Sequence, residues 1–274
     1  MVDRTVKIYT DTNVLRYFAV AFENRNLADD LQGYLLLSPI AVMELISQIG
    51  TDGADEAFAA VHALPRVHNP SGTGMLPWPD DFFRISLFNL PPGKDTITPA
   101  LNNAVVNVLN STAAGDVAGD AREMRALLDG AKDEATKNFS AVLSAWRSEG
   151  PLREVEDTAI FARSIARQAG FDEAKVDADL VAKKLDAYYL FEKGRMRIGA
   201  QNIDYNVGKH SNDVWDAEQL IYLADPTLHF LTSDKGFRRI EKSHQAKRVH
   251  VAEARCLKEA ACATSLLRDI VSGK

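Results

Sequence analysis

Cysteine is scarce in this chain, and the scarcity excludes a good deal. Only Cys256 and Cys262 occur in 274 residues, too few for the disulfide framework of a small secreted scaffold. Neither has a cysteine or histidine at zinc-ligand spacing. They stand six residues apart in a segment that reads as one helix, which points them to different faces, so two free thiols in a reducing compartment are expected. Long apolar runs are missing too: none approaches the roughly 20 residues that a membrane span needs. The opening MVDRTVKIYTDTN is interrupted by Asp3 and Asp11 and lacks the apolar core of an export signal. The expected location is therefore cytoplasmic. Positive charge is in deficit, with a net charge of −6, which argues against a protein that coats nucleic acid by bulk electrostatics. It leaves room for one that confines its basic surface to a patch and its acids to a site.

Apolar residues at 46% and charged residues at 26% are present in the proportions of a globular chain with a real core. Residues 5–10 (TVKIYT) alternate Val6 and Ile8 as a short strand would, and Asp11-Thr12-Asn13 then offers turn and cap chemistry before a helical VLRYFAVAF. A second apolar run, residues 34–37, precedes Ser38 as N-cap and Pro39 at the first helical position of IAVMELISQI, the helix that carries Glu44. Prolines crowd residues 65–99, which read as an irregular connection. Residues from about 101 to about 193 are rich in alanine, leucine, glutamate and lysine with apolar positions at three- and four-residue spacing, and only Pro151 interrupts them. Strand and helix then alternate again: residues 214–224 helical, 228–232 (LHFLT) a buried strand, 248–251 a further strand and 254–270 a last helix. Short apolar strands alternating with helices imply an α/β fold, a parallel sheet flanked by helices, into which a large all-helical block is inserted. The expected division is residues 1–94 and 196–274 as the discontinuous core and 95–195 as the insertion.

In a parallel sheet the carboxyl edge presents ligands. Asp11 follows the first strand directly, and Asp234, in LHFLTSDKGF, has the same relation to the later one. Glu44 lies one to two turns into the helix after the second strand, and Asp213 and Asp216, three residues apart, share one helix face. Hard cations such as Mg²⁺ and Mn²⁺ prefer oxygen ligands, so converging carboxylates suit them. Such ions can activate water and clamp a phosphate, with no need of an acid–base histidine.

YTDTNVL, SPIAVMEL, DAEQLIYLA and FLTSDKGF together resemble the PIN domain family, over about residues 1–60 and 210–250. The resemblance implies a PIN-like sheet and an Mg²⁺- or Mn²⁺-dependent endoribonuclease that leaves a 5′-phosphate and a 3′-hydroxyl. It further implies that Asp11, Glu44, Asp216 and Asp234 bind the cation and carry catalysis, with Asp213 as an additional metal candidate. Thr12, Asn13 and Thr232 fall where small polar residues support the family's site. Many members are toxins of toxin–antitoxin pairs, so the partners implied are an RNA substrate, a small antitoxin protein and a second copy of the chain in a homodimer, with no membrane. A typical member is much shorter, its second and third acids far closer in sequence than Glu44 and Asp216. A nucleic-acid or protein binding module with a vestigial acid cluster and a structure-specific DNA nuclease are the alternatives.

Each residue also has a plainer reading. Asp11 and Asp234 suit helix caps, and Asp213 is expected to cap its own helix with Asp216 at the third position. Glu44 is the hardest to explain as scaffold, since it stands among Ile40, Val42, Met43, Leu45 and Ile46. Lys235, Arg238 and Arg239 form a basic stretch beside Asp234 suited to a phosphate backbone, although such stretches are commonly solvated faces. Trp78 reads as packing beneath a proline-rich loop ahead of stacking on a base, and His229 as a core residue. Gly115-Asp116 and Asp120 mimic an acidic phosphatase motif, but Asn13 stands where that chemistry needs a second aspartate.

Overall fold

The computed structural model describes residues 6–51, 53–68, 74–94, 97–150, 154–202, 204–210 and 212–273. Thr5 of the expected first strand, Pro70 and Pro151 lie outside the described residues. The chain runs from β1 (Lys7–Thr10) through α1 (Thr12–Ala21) and the short α2 (Asp29–Gln32) to β2 (Leu35–Leu36). It continues through α3 (Pro39–Gln48), α4 (Ala54–Val67) and α5 (Pro79–Ser86). A helical stretch follows: α6 (Ile97–Asn110), α7 (Ala118–Glu149), α8 (Glu154–Gln168), α9 (Ala178–Lys184) and α10 (Asp186–Gln201). Then come α11 (Asp213–Gln219), β3 (Leu228–Thr232), β4 (Val249–Val251), α12 (Ala254–Leu257) and α13 (Ala260–Ser272).

The strands form one parallel sheet in the order β2-β1-β3-β4. Ile8 lies opposite Leu35 on one side and His229 on the other, and Phe230 lies opposite Val249. Strand side chains alternate between faces, and both faces are covered. Ile8, Leu35 and Leu231 pack with Val14 and Phe18 of α1 and Leu267 of α13. Tyr9 and Phe230 pack with Phe82 and Phe83 of α5, Phe191 of α10 and Phe237. A lone parallel bridge, Leu37 to Met75, extends the β2 edge. The parallel sheet flanked by helices is as the residue pattern implies.

The helical stretch rests directly on the sheet unit. Leu101 and Val108 of α6 and Met124 and Leu128 of α7 share a core with Ile40, Leu45 and Ile46 of α3. Arg125 of α7 donates to the Ser47 carbonyl at 2.7 Å, while Phe191 of α10 stacks on Phe237 at 5.7 Å. Among the described residues no helix is long and apolar enough to cross a membrane.

Two expectations need correction. Residues 65–99 are not wholly irregular: Pro65 sits inside α4, Pro79 opens α5, and α6 begins at Ile97. A proline in the last turn loses a single hydrogen bond, which the apolar face of Val61, Leu64 and Val67 offsets by burial. Proline at the first helical position loses none. The cysteines are not free thiols on different faces. The last helical segment breaks at Lys258 and Glu259, bringing the Cys256 and Cys262 Cα atoms to 5.2 Å in a disulfide.

Candidate active site

The end of β1 delivers Asp11 to the carboxyl edge of the sheet. Its extended backbone places it as the N-cap of α1, where Oδ1 accepts the Val14 N–H at 2.8 Å. Its other oxygen, Oδ2, accepts the Thr232 hydroxyl at 2.5 Å. The Thr232 oxygen in turn accepts the Asp234 N–H at 2.9 Å. Asp234 caps the 3₁₀ turn Lys235–Ile240 by accepting the Gly236 N–H at 2.6 Å. A Cβ on Gly236 would meet the Asp234 carboxylate at 3.1 Å, so glycine keeps this cap tight. Both aspartates are thus helix caps, as their plainer readings have it, and both stand at the same sheet edge.

Ser38 caps α3 and Pro39 begins it, and this helix carries Glu44 among the buried Ile40, Val42, Met43, Leu45 and Ile46. The Thr12 hydroxyl donates to Glu44 Oε2. Burial pushes the Glu44 carboxyl up, and the Asp11 charge adds to that, while the Thr12 hydrogen bond and the charges of Lys132 and Arg16 oppose it. The Asp11 carboxyl is likewise raised by burial, against hydrogen bonds from Thr232 and Val14, and Asp234 raises it further.

Asp216, supplied by α11, is the point where the charges meet. Burial and then the charges of Asp234, Glu44, Asp213 and Asp11 push its carboxyl up to about 8. The structure therefore brings Asp11, Glu44, Asp216 and Asp234 into one electrostatic neighbourhood, Asp11 and Asp234 from the ends of two strands, Glu44 from the middle of α3 and Asp216 from the first turns of α11. Among the described residues no three His, Cys, Asp or Glu side chains form a ready group that could hold a metal ion.

Asp213 differs from its expected role. Asn212 is the N-cap of α11, without a side-chain cap bond, and Asp213 is the first helical residue, with Asp216 at the fourth position. The Asp213 carboxylate instead faces Arg195 Nε at 3.8 Å and Arg239 Nη1 at 3.6 Å. With Asn212 at the cap position, Asp213 falls inside the first turn, where its carboxylate has two arginine charges within ion-pair distance.

Of the supporting residues, Thr12 and Thr232 hydrogen bond to site carboxylates, whereas Asn13 is exposed. Lys235, Arg238 and Arg239 all lie exposed on the turn that starts at Asp234, and Arg239 also sits over the Phe191 ring at 5.8 Å. Trp78 is buried edge-on to Trp215 at 6.4 Å. His229 Nδ1 lies 2.9 Å from His250 Nε2. Asp116 and Asp120 serve local helix ends, bonding the Ala113 N–H at 3.2 Å and Asn107 at 2.9 Å.

The residue pattern does not single out Lys132 and Arg16, the two cations that offset the Glu44 charge. Lys132 donates to Asn212 Oδ1 at 2.7 Å, so α7 bridges the carriers of Glu44 and Asp216. The available signal was the spacing of Arg125 and Lys132, two turns apart on one face of α7. Comparisons with family models, with curated proteins and with solved structures find no match for the chain.

Proposed function

We propose that the chain is a divalent-cation-dependent nuclease of PIN type that cleaves RNA internally. The observation that carries this reading is the Asp216 carboxyl, pushed up to about 8 by burial together with four neighbouring carboxylates. Like charges gathered at a sheet edge cost stability, and clefts that tolerate them are usually functional sites. The donor set fits Mg²⁺ or Mn²⁺, because every group is a hard oxygen. Asp11, Glu44, Asp216 and Asp234 would hold the ion, with Thr12 and Thr232 orienting Glu44 and Asp11 through their hydroxyls. Bound there, the cation supplies Lewis acidity toward water and phosphate. The exposed Lys235, Arg238 and Arg239 suit the phosphate backbone of the strand. A toxin role with a small antitoxin, and pairing of two copies, remain part of the proposal through the resemblance alone.

A second reading is a nucleic-acid binding module with a vestigial acid cluster. The cap bonds that already occupy Asp11 and Asp234 support it, since each carboxylate has a local structural role.

Cleavage separates the two. Purified protein is incubated with single-stranded RNA, structured RNA and single-stranded DNA in Mg²⁺, Mn²⁺ or EDTA. RNA cleavage is expected only with metal, falling by about 100-fold or more in Asp11→Asn and Asp234→Asn. Cleavage that persists in EDTA or in both variants overturns the nuclease site. Binding without turnover in every metal establishes the module, and a preference for DNA replaces RNA as the substrate.

A further inference from the structure

A concavity opens beside α11, the helix that carries Asp216. This cavity of about 870 Å³ is walled by α7, α8, α10 and α11, a volume within the range of small-molecule pockets. The chain has three tryptophans, Trp78, Trp146 and Trp215, and all of them line it. Phe161 and Tyr188 add further rings to the wall. Val142 and Ile160 stand at its margin 54% and 49% exposed, beside the exposed Glu134, Asn138, Arg167 and Gln168, so the mouth is open and of mixed character.

The charged groups of the lining decide what the cavity suits. Acidic side chains outnumber basic ones in the lining, which disfavours a phosphate or carboxylate occupant. Arg195 is only 2% exposed yet lines the cavity. Its Nη1 donates to Glu192 at 2.5 Å, and the guanidinium also hydrogen bonds the Tyr205 side chain. Asp213 lies 3.8 Å from Nε. Glu192 and Glu218 add carboxyl acceptors to the same lining. Flat apolar walls with both donors and acceptors between them match a planar, uncharged heterocycle.

We propose that this cavity receives one base of a nucleic-acid strand, an inference that rests on the nuclease reading only for the identity of the strand. Trp215 and Glu218 of α11 line the cavity while Asp216 of the same helix joins the carboxylate cluster. A base stacked on the cavity wall therefore fixes the strand against the helix that carries Asp216. The helical stretch becomes a device for choosing which nucleotide stands next to the cluster.

Tryptophan fluorescence reports on this cavity, because all three tryptophans line it. Adenosine, guanosine, cytidine and uridine are titrated separately into the full chain in EDTA, beside ribose 5-phosphate and inorganic phosphate. At least one nucleoside is expected to quench the signal saturably, with half-saturation at or below about 1 mM, and neither phosphate compound does. Ser164→Phe and Ala131→Phe, at exposed positions in the lining, narrow the cavity and weaken binding by about 10-fold or more. Asp11→Asn leaves it unchanged. The proposal is overturned if no nucleoside gives a saturable change, if inorganic phosphate matches the nucleosides, or if both narrowing variants, folded by circular dichroism, bind as the parent does. Nucleoside binding without RNA cleavage retires the nuclease reading and leaves the cavity standing; cleavage without nucleoside binding does the reverse.

Discussion

Thr232 and Asp11, 221 positions apart in sequence, share a hydrogen bond of 2.5 Å in which the threonine donates. The same hydroxyl oxygen accepts the Asp234 N–H, so one side chain couples the two aspartates that end neighbouring strands. Thr232→Val keeps the shape and removes the hydroxyl, leaving a buried carboxylate oxygen without its donor. A loss of about 1–3 kcal/mol in urea unfolding is expected, with cleavage falling about 10-fold. Thr232→Ser recovers most of both. A Val variant equal to the parent in stability and cleavage would remove Thr232 from the site.

The acid cluster makes stability depend on pH. The Asp216 carboxyl titrates near 8 in the folded chain against an ordinary 3.8. Between those values the folded state keeps a proton that the unfolded state has released, so stability is complete below about pH 4 and falls as pH rises toward 8. Because Asp216 is partly open to solvent, the loss is on the order of a few kcal/mol. Glu218, pushed to about 8 chiefly by burial, titrates in the same window. In EDTA the melting temperature should fall from pH 5 to pH 8. Asp216→Asn and Glu218→Gln should each flatten part of that slope, and the double variant most of it. A flat profile in the parent chain contradicts the described electrostatics.

The Cys256–Cys262 link closes a short loop, with a separation of six residues. The chain-entropy relation gives about 2 kcal/mol for a loop of this size. Reduction, or Cys256→Ser with Cys262→Ser, should lower urea stability by about that amount and leave the proposed metal-dependent cleavage unaffected. Quantifying thiols in the denatured protein checks the premise: none before reduction, two after.

Arg195 is a buried cation with Glu192 and Asp213 as its anionic partners. Arg195→Met strands two carboxylates and should cost about 3–5 kcal/mol. Adding Glu192→Gln to it should restore part of the loss, measured as a double-mutant cycle. No recovery would mean that the packing of the guanidinium over Phe139, at 4.5 Å, dominates instead.

Short-range chemistry is what the residue pattern made readable. Asp11 after an alternating strand, Ser38-Pro39 opening α3, and Asp234 before a glycine each announce their own local geometry, and the parallel sheet follows from their order. Glu44 stood out because its neighbours are apolar. The rest depended on contacts between distant segments. Asp213 faces arginines from α10 and the Asp234 turn. Lys132 reaches the site only because α7 lies across α3. The cysteines face each other because a break at Lys258 and Glu259 turns one helix into two. None of these is encoded by the spacing within a single segment.

Asp11, Glu44, Asp216 and Asp234 are proposed to form one divalent-cation site, and the most direct measurement is Mn²⁺ binding to the purified chain at pH 8, followed by the loss of the free-ion electron paramagnetic resonance signal. Saturable uptake of one or two ions is predicted, weakened by about 10-fold or more in each of Asp11→Asn, Glu44→Gln, Asp216→Asn and Asp234→Asn. The absence of saturable uptake, or uptake that all four variants retain unchanged, would contradict it.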